Sequence, residues 1–490
     1  MNVFYAVFLV ALLFSLSFGD GERCGTVRFI EEFKNPQKRT LAKGYNAENF
    51  PVREKRTEHF IIYYVTEGTH AVKTQAYIDS LAKYLEYAYN LHKDTLGMKS
   101  IFGLDTSYYY EKIVPSGLYP VEVIDTGAEK YCGAYGLTFP NDIRMPRKTQ
   151  IAIENDFIYG VNCPEVGKRQ GDPFTSNIHG NYSKNWYLAL KVTVFHELYH
   201  SFQLAQFDIS KYYTFWLEAS AVGVEEIGAP EVDDYIDYLS NIFKNPGKSM
   251  ENLKPIDGYG YVTLYLFLSS EFGLKFDSYI WDYFSKSPKE SFAVQLGRYV
   301  NLHGGKDKDV EDLFHKYATN IFFSGSREAS WPYPYKRFSD DMRKWPNWKI
   351  KTSVPPYLPA GTFDFLRTPN GAAPSTDSVA RISSLKFGKD NDSTVWVLSR
   401  LSPPFVPPFK EFVAYPNPWR PKRSDKVKFG PLPKNSSGVE IRSANGTLLK
   451  RIDGKAEDTL TWQPEKLPAP GILYYRTLPH GKNKVLILEY

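Results

Sequence analysis

Apolar positions fall into two kinds of pattern along the chain. His59–Val65 is rich in aromatic and β-branched residues and predicts a strand. Between Ala71 and Leu96, Ile78, Leu81, Leu85 and Tyr89 recur at helical spacing and predict a long helix. Short runs at Tyr119–Ile124 and Thr149–Ile153 read as strands. Tyr187–Phe207 then reads as a helix, with Leu188, Val192, Phe195, Tyr199 and Phe202 along one side. Helical patterning continues through Phe215–Ile227, Asp233–Phe243, Tyr259–Phe272 and Asp309–Ile321.

After about Trp345 the pattern changes. Val379–Phe387 and Thr394–Leu401 read as strands, and Pro403, Pro404, Pro407 and Pro408 stiffen a link behind them. Val439–Ala444 and Thr447–Ile452 flank Asn445-Gly446, a strong hairpin signal, and Ile472–Leu478 pairs with Lys484–Tyr490. No fixed-period repeat runs through the chain. Glu22–Arg56 is charged and weakly patterned and reads as an extended lead-in.

With 490 residues and 42% hydrophobic content, the chain is too long for one ordinary domain and too apolar for a disordered one. At ~150 residues per domain, about three domains are expected. The net charge of +5 is weak over this length and argues against a nucleic-acid partner, which would call for concentrated basic charge. The basic run Arg420, Lys422, Arg423, Lys426 and Lys428 reads as a solvated face.

Val3–Phe18 is apolar apart from Ser15 and Ser17, shorter than the ~20 residues of a membrane span, and ends in Ser17-Phe18-Gly19. This predicts a secretory leader cleaved near Gly19, although residues 2 to 5 carry no Lys or Arg. The expected location is extracellular or at the cell surface. An oxidising compartment permits a disulfide, and Cys132 and Cys163 are expected to pair. Cys24 is left over, either as a buried or free thiol or as a mask over a metal site from a short prosegment. The sequons at Asn181, Asn391, Asn435 and Asn445 matter only in a glycosylating source.

The candidate chemistry lies in His196-Glu197-Leu198-Tyr199-His200. Four residues advance an α-helix by roughly 400°, so both imidazoles leave the same face one turn apart. They can grip one Zn²⁺ while Glu197 reaches the water beside it. Chance would place this pentapeptide in roughly one such chain in a hundred. A catalytic zinc wants a third protein ligand and an open position. Glu218 sits in the apolar, helix-forming run Phe215–Val222, where a buried carboxylate needs a partner. Glu218 facing solvent, and Glu225 or Glu226 as the ligand, are the competing readings.

His196-Glu-Leu-Tyr-His200 followed by Trp216-Leu-Glu-Ala-Ser-Ala221 resembles the gluzincin metalloproteases. It is more closely similar to a group of secreted bacterial proteins with HExxH and a Trp-Leu-Glu-Gly-x-Ala element. The resemblance covers about residues 55 to 345, and Ala219 replaces the group's usual Gly. It implies an α+β zincin-like fold, a twisted sheet over the active-site helix and then a helical half. It also implies that His196, His200 and Glu218 bind zinc and that Glu197 is the catalytic glutamate. Tyr415-Pro-Asn-Pro-Trp-Arg-Pro421, the Asn445-Gly446 hairpin and Gly471–Arg476 are similar to Ig-like C-terminal domains of the hook-capping and type IX secretion-sorting kinds. That resemblance implies attachment to the cell surface or to secretion machinery; a plain β-sandwich spacer is the other reading.

The expected organisation is therefore a leader at 1–19, an extended segment at 20–55, the zincin-like domain at 56–345, a small β-domain at 346–405 and an Ig-like β-sandwich at 406–490. The expected activity is zinc-dependent hydrolysis of a peptide or protein substrate, with Glu197 as general base and then acid. Tyr259 is the candidate oxyanion donor, with Tyr261 beside it. Ile151–Asp156 is the expected sheet edge for a substrate strand. The acidic Glu154 and Asp156 at its end read either as a turn cap or as a Ca²⁺ site. Two rival functions remain: a zincin-fold binding or adhesion protein without catalysis, and a zinc hydrolase of a non-peptide amide.

Overall fold

The computed structural model describes residues 24–29, 50–140, 147–158, 163, 185–208, 214–233, 235–244, 250, 253, 255–303, 309–330, 342–353, 358–368, 371–374, 380–387, 393–401, 412–421, 425–456, 458–479 and 481–489. The leader, the proline-dense link, part of the basic run and the sequons at Asn181 and Asn391 lie outside the described residues. The chain is mixed α and β with a β-rich C-terminal region, and forms two compact units, Met1–Ser402 and Pro403–Tyr490.

The first unit opens with a mixed sheet. Its strands are β1 (Arg53–Arg56), β2 (Phe60–Tyr64), β3 (Phe102–Gly103), β4 (Tyr119–Ile124), β5 (Gly136–Pro140) and β6 (Lys148–Glu154). They run in the order β1-β2-β4-β6-β3, with β5 also on β6. β2, β4 and β6 are parallel neighbours, while β5 lies antiparallel to β6 with Gly136 opposite Ile153 and Thr138 opposite Ile151. The expected edge at Ile151–Asp156 is therefore corrected: β6 is an inner strand, and β5 lies beside it with residues 24–26 bonded along its far side. An unbroken apolar run such as Ile151-Ala-Ile153 is what burial on both faces requires. Glu154 accepts from Thr126 N (2.7 Å), while Asp156 pairs with Lys73 (2.6 Å) and caps Ile158 N (2.8 Å). The two acids thus serve different partners.

Helix α1 (Gln75–Asn90) follows β2, capped by Thr74 Oγ1, which accepts from Tyr77 N at 3.3 Å. The helical half comprises α2 (Trp186–Leu204), α3 (Trp216–Gly228), α4 (Ile236–Lys244), α5 (Val262–Phe272), α6 (Phe276–Lys286), α7 (Phe292–His303) and α8 (Val310–Phe322). The single helix expected from Tyr259 is two pieces: a 3₁₀ stretch at Pro255–Tyr261 and then α5. Helices α6 and α7 fill a stretch the patterning had not assigned.

α2 is apolar nearly all round because it is covered on nearly every side. Tyr119 Oη bonds Ser201 Oγ (2.7 Å) and Thr149 Oγ1 (2.8 Å), pinning α2 to β4 and β6. Behind it, Asp277 of α6 is fully buried and accepts from Trp216 Nε1 (2.6 Å), Trp281 Nε1 (3.1 Å) and Tyr199 Oη. Burial pushes Asp277 up to about 6, against the pull of these donors. One carboxylate thus fixes α2, α3 and α6 to each other.

Strands β7 (Ile350–Lys351), β8 (Thr362–Leu366), β9 (Arg381–Phe387) and β10 (Ser393–Arg400) form a sheet ordered β7-β8-β10-β9. Phe314 and Tyr317 of α8 pack on Phe363, and Phe322 packs on Phe365. This sheet shares the main core and belongs to the first unit.

In the second unit, β11 (Val413–Tyr415), β12 (Val427–Gly430) and β15 (Leu460–Trp462) make one antiparallel sheet. β13 (Gly438–Ser443), β14 (Leu448–Asp453), β16 (Gly471–Leu478) and β17 (Lys484–Leu488) make another. Trp419, Phe429, Ile441, Trp462 and Tyr475 fill one core between them. Gly446, at φ +87°, turns the hairpin that Asn445-Gly446 predicted. Among the described residues, no helix is long and apolar enough to cross a membrane.

Candidate metal centre

α2 carries His196, Glu197 and His200 on the side that faces β5 and α3, and all three are buried. The imidazole rings lie 4.6 Å apart, nearly perpendicular. α3 runs alongside and brings Glu218 up in its first turn, fully buried, where the helix N-terminus favours a carboxylate. His196 Nε2 is 3.2 Å from Glu218 Oε2, and His200 Nε2 is 3.4 Å from Glu218 Oε1. All four of these atoms are buried without a hydrogen bond.

Four ligands in a tetrahedron at ~2.0–2.1 Å from a common centre are ~3.3 Å apart, the spacing found here. Buried nitrogen and carboxylate atoms left without hydrogen bonds are costly unless something between them satisfies them. The electrostatics agree. Burial opposes charge on His200, yet Glu218 and Cys24 override it and push the imidazole up to about 10. Burial likewise opposes charge on Glu218, and the two imidazoles hold it down at about 2. A positively charged group between these atoms would satisfy them. The donor set fits zinc, which takes imidazole and carboxylate ligands.

The ring nitrogens facing away are held as a metal site needs. His196 Nδ1 meets Glu225 Oε1 at 2.5 Å, and His200 Nδ1 meets Gln203 Oε1 at 2.6 Å. Gln203 Nε2 donates to Leu217 O (3.0 Å) and to Ser220 Oγ (2.9 Å), whose own hydroxyl donates to Trp216 O (2.7 Å). The amide oxygen therefore faces His200 and takes the Nδ1 proton, which leaves Nε2 turned toward Glu218. Glu225, considered as a ligand from sequence, instead orients His196; Glu226 is buried outside the cluster.

Glu197 Oε2 accepts from Thr138 Oγ1 (2.8 Å) and Thr26 Oγ1 (3.0 Å). Thr138 Oγ1 also donates to Glu197 O at 2.7 Å. The helix can come this close to β5 because Gly136 has no side chain: a Cβ there would stand 2.8 Å from Glu197 Cγ and 2.9 Å from Thr193 Cγ2. Gly258 does the same for the 3₁₀ stretch, where a Cβ would be 2.0 Å from Phe215 O. That approach places Tyr259 over His196, rings 5.8 Å apart and 17° from parallel. Burial, then the charge of Glu218, hold the Tyr259 hydroxyl well above its ordinary range, so it remains a donor. Tyr261 packs on Phe215 instead.

No family model matches the chain, and no curated protein sequence matches it.

The structure therefore brings together His196, Glu197, His200, Glu218 and Tyr259 and leaves Tyr261 outside. It adds residues that sequence reasoning missed, Gln203, Ser220 and Thr138 as supports, and of the readings offered for Cys24 it places the sulfur within 4.8 Å of the ligand atoms of His196, His200 and Glu218. Within the expected extended lead-in, residues 26–29 form a helical turn beside the site, while Arg53–Arg56 is a strand. Cys132 and Cys163 are disulfide-bonded, and Cys24 is free and buried.

Proposed function

We propose that the protein is a zinc-dependent peptidase with a zincin-like catalytic unit. His196, His200 and Glu218 would hold the ion. The observation that carries this reading is the spacing of their inward atoms, 3.2 and 3.4 Å across a buried carboxylate. Zinc held there would polarise the scissile carbonyl and make a water acidic enough to lose its proton near neutral pH.

The chain's own groups do the rest. Glu197 takes the proton from the attacking water and returns it to the leaving amine. Thr138 fixes the carboxylate's orientation from β5. Tyr259 donates to the developing oxyanion. The side of β5 along which residues 24–26 lie would offer backbone groups to an extended peptide once they leave it, as strand addition requires. The sheet over α2, and the helical half bringing Glu218, support a gluzincin-like arrangement. The two sheets of the second unit support an Ig-like domain that would serve surface attachment or sorting. Secretion follows from the predicted leader.

Metal analysis of the purified chain should give about one zinc per molecule, lost in Glu218→Ala. Casein cleavage should stop with a chelator and return on adding zinc. Glu197→Gln should keep the metal and lose cleavage by roughly a hundredfold or more. A Glu197→Gln protein with full activity would refute the assigned role. One zinc with no cleavage under any condition would favour a binding protein over an enzyme.

A further inference from the structure

We propose that residues 24–29 are a built-in plug: the Cys24 thiolate takes the fourth position on the metal, and the segment holds the enzyme latent. This rests on the metal-site reading above and goes beyond it. Cys24 is 3% exposed, and its sulfur lies among His196, His200 and Glu218 rather than among apolar side chains alone. A core cysteine has no reason to sit against four buried nitrogen and oxygen atoms that lack hydrogen bonds.

Five of the segment's six residues have a specific partner beside the site. The Cys24 amide donates to Tyr259 Oη at 3.2 Å. Cys24 bridges Gly136, and Gly25 N donates to Gly136 O at 2.9 Å, so the segment lies along the side of β5 away from β6. Gly25 must be glycine for this, since a Cβ would meet Leu137 Cδ2 at 2.5 Å. Thr26 Oγ1 accepts from Thr138 N (2.7 Å) and donates to Glu197 Oε2 (3.0 Å). Arg28 lies over the Tyr131 ring at 5.2 Å, and Phe29 is buried against Phe139 at 4.6 Å. The segment thus engages the metal position, the general base, the oxyanion donor and the substrate strand's backbone together. A peptide substrate needs all four.

Ligation is a plain exchange. The thiol releases its proton to solvent, its sulfur replaces one water on the metal, and no electrons move. Opening reverses it. A tethered segment acts at an effective concentration on the order of millimolar, so an intrinsic Kd of ~0.1 mM keeps about nine molecules in ten closed.

The test uses the full chain as wild type, Cys24→Ser and Phe29→Ala. Each is assayed for zinc content, for its absorption spectrum after cobalt substitution, and for casein cleavage. The expected result is one metal in all three. A near-ultraviolet thiolate-to-cobalt band should appear in wild type and be absent from Cys24→Ser. Cleavage should be roughly tenfold or more faster in Cys24→Ser than in wild type. Phe29→Ala keeps the thiol but loses the anchor, and should fall between them. One metal in each protein with no thiolate band, or equal cleavage by wild type and Cys24→Ser, overturns the plug and leaves the metal site standing. Absence of metal from all three overturns both.

Discussion

Replacing Asp277 with alanine tests how the site is held from behind. The change strips the acceptor from Trp216 Nε1, Trp281 Nε1 and Tyr199 Oη, all buried. Each orphaned donor costs ~1–3 kcal/mol, so three cost about 3–9 kcal/mol, and partial relaxation suggests ~5. At ~2.1 cal/mol/K per residue, a unit of about 400 residues has an unfolding entropy near 0.8 kcal/mol/K, so the melting temperature should fall by roughly 6 °C. Asp277→Asn keeps the shape and one accepting oxygen but turns an amide toward a donor, so ~1–3 kcal/mol and about half that fall are expected. Tyr199 adjoins His200, and Trp216 lies two residues before Glu218. Zinc affinity, measured by competition with a chelator, should therefore weaken by about tenfold or more in Asp277→Ala. An alanine variant that melts within ~1 °C of wild type and binds zinc equally well would refute the reasoning.

Glu225→Ala removes the group that orients His196 and should weaken zinc binding by about 10–100-fold without unfolding the chain, as read by the same competition. Gly136→Ala forces β5 away from Glu197 and should lower cleavage while zinc content stays near one; the strain should cost ~1–3 kcal/mol in denaturant unfolding. His92 is fully buried near Phe195, Tyr199 and Phe202, and burial lowers its pKa from 6.5 to about 3. Between those values the unfolded chain binds the extra proton. The stabilisation is complete above pH 6.5 and is lost as pH falls, at ~1.4 kcal/mol per pH unit. His92→Phe should therefore flatten the fall in urea midpoint between pH 6.5 and 4, and an unchanged slope would contradict this assignment.

The parts of the site legible in the sequence were those written at short spacing. Two histidines one helical turn apart, and a glutamate inside an apolar helix, announce themselves because local geometry fixes where they point. β5 was not legible. Gly136-Leu-Thr-Phe-Pro140 is short and bounded by residues that usually mark turns, and its role depends on α2 lying beneath it. The longer apolar run of β6 drew the edge assignment, although such a run suits an inner strand. Asp277 carried no local signal, since its three donors come from α2, α3 and its own helix α6. Cys24 could be named as a spare thiol or a mask, but the sequence could not choose between them, because it lies 172 residues from His196 in the chain and meets the cluster only once the sheet has formed.

The relay from Trp216 through Ser220 and Gln203 to His200 has a practical corollary. Transplanting the histidine pentapeptide onto another protein's helix would carry over the side chains but not the preference for which nitrogen faces inward. That preference is dictated by a carbonyl on the companion helix. The smallest portable binding element is thus a helix pair, and an engineer who moved one strut alone would inherit an imidazole free to choose the wrong tautomer.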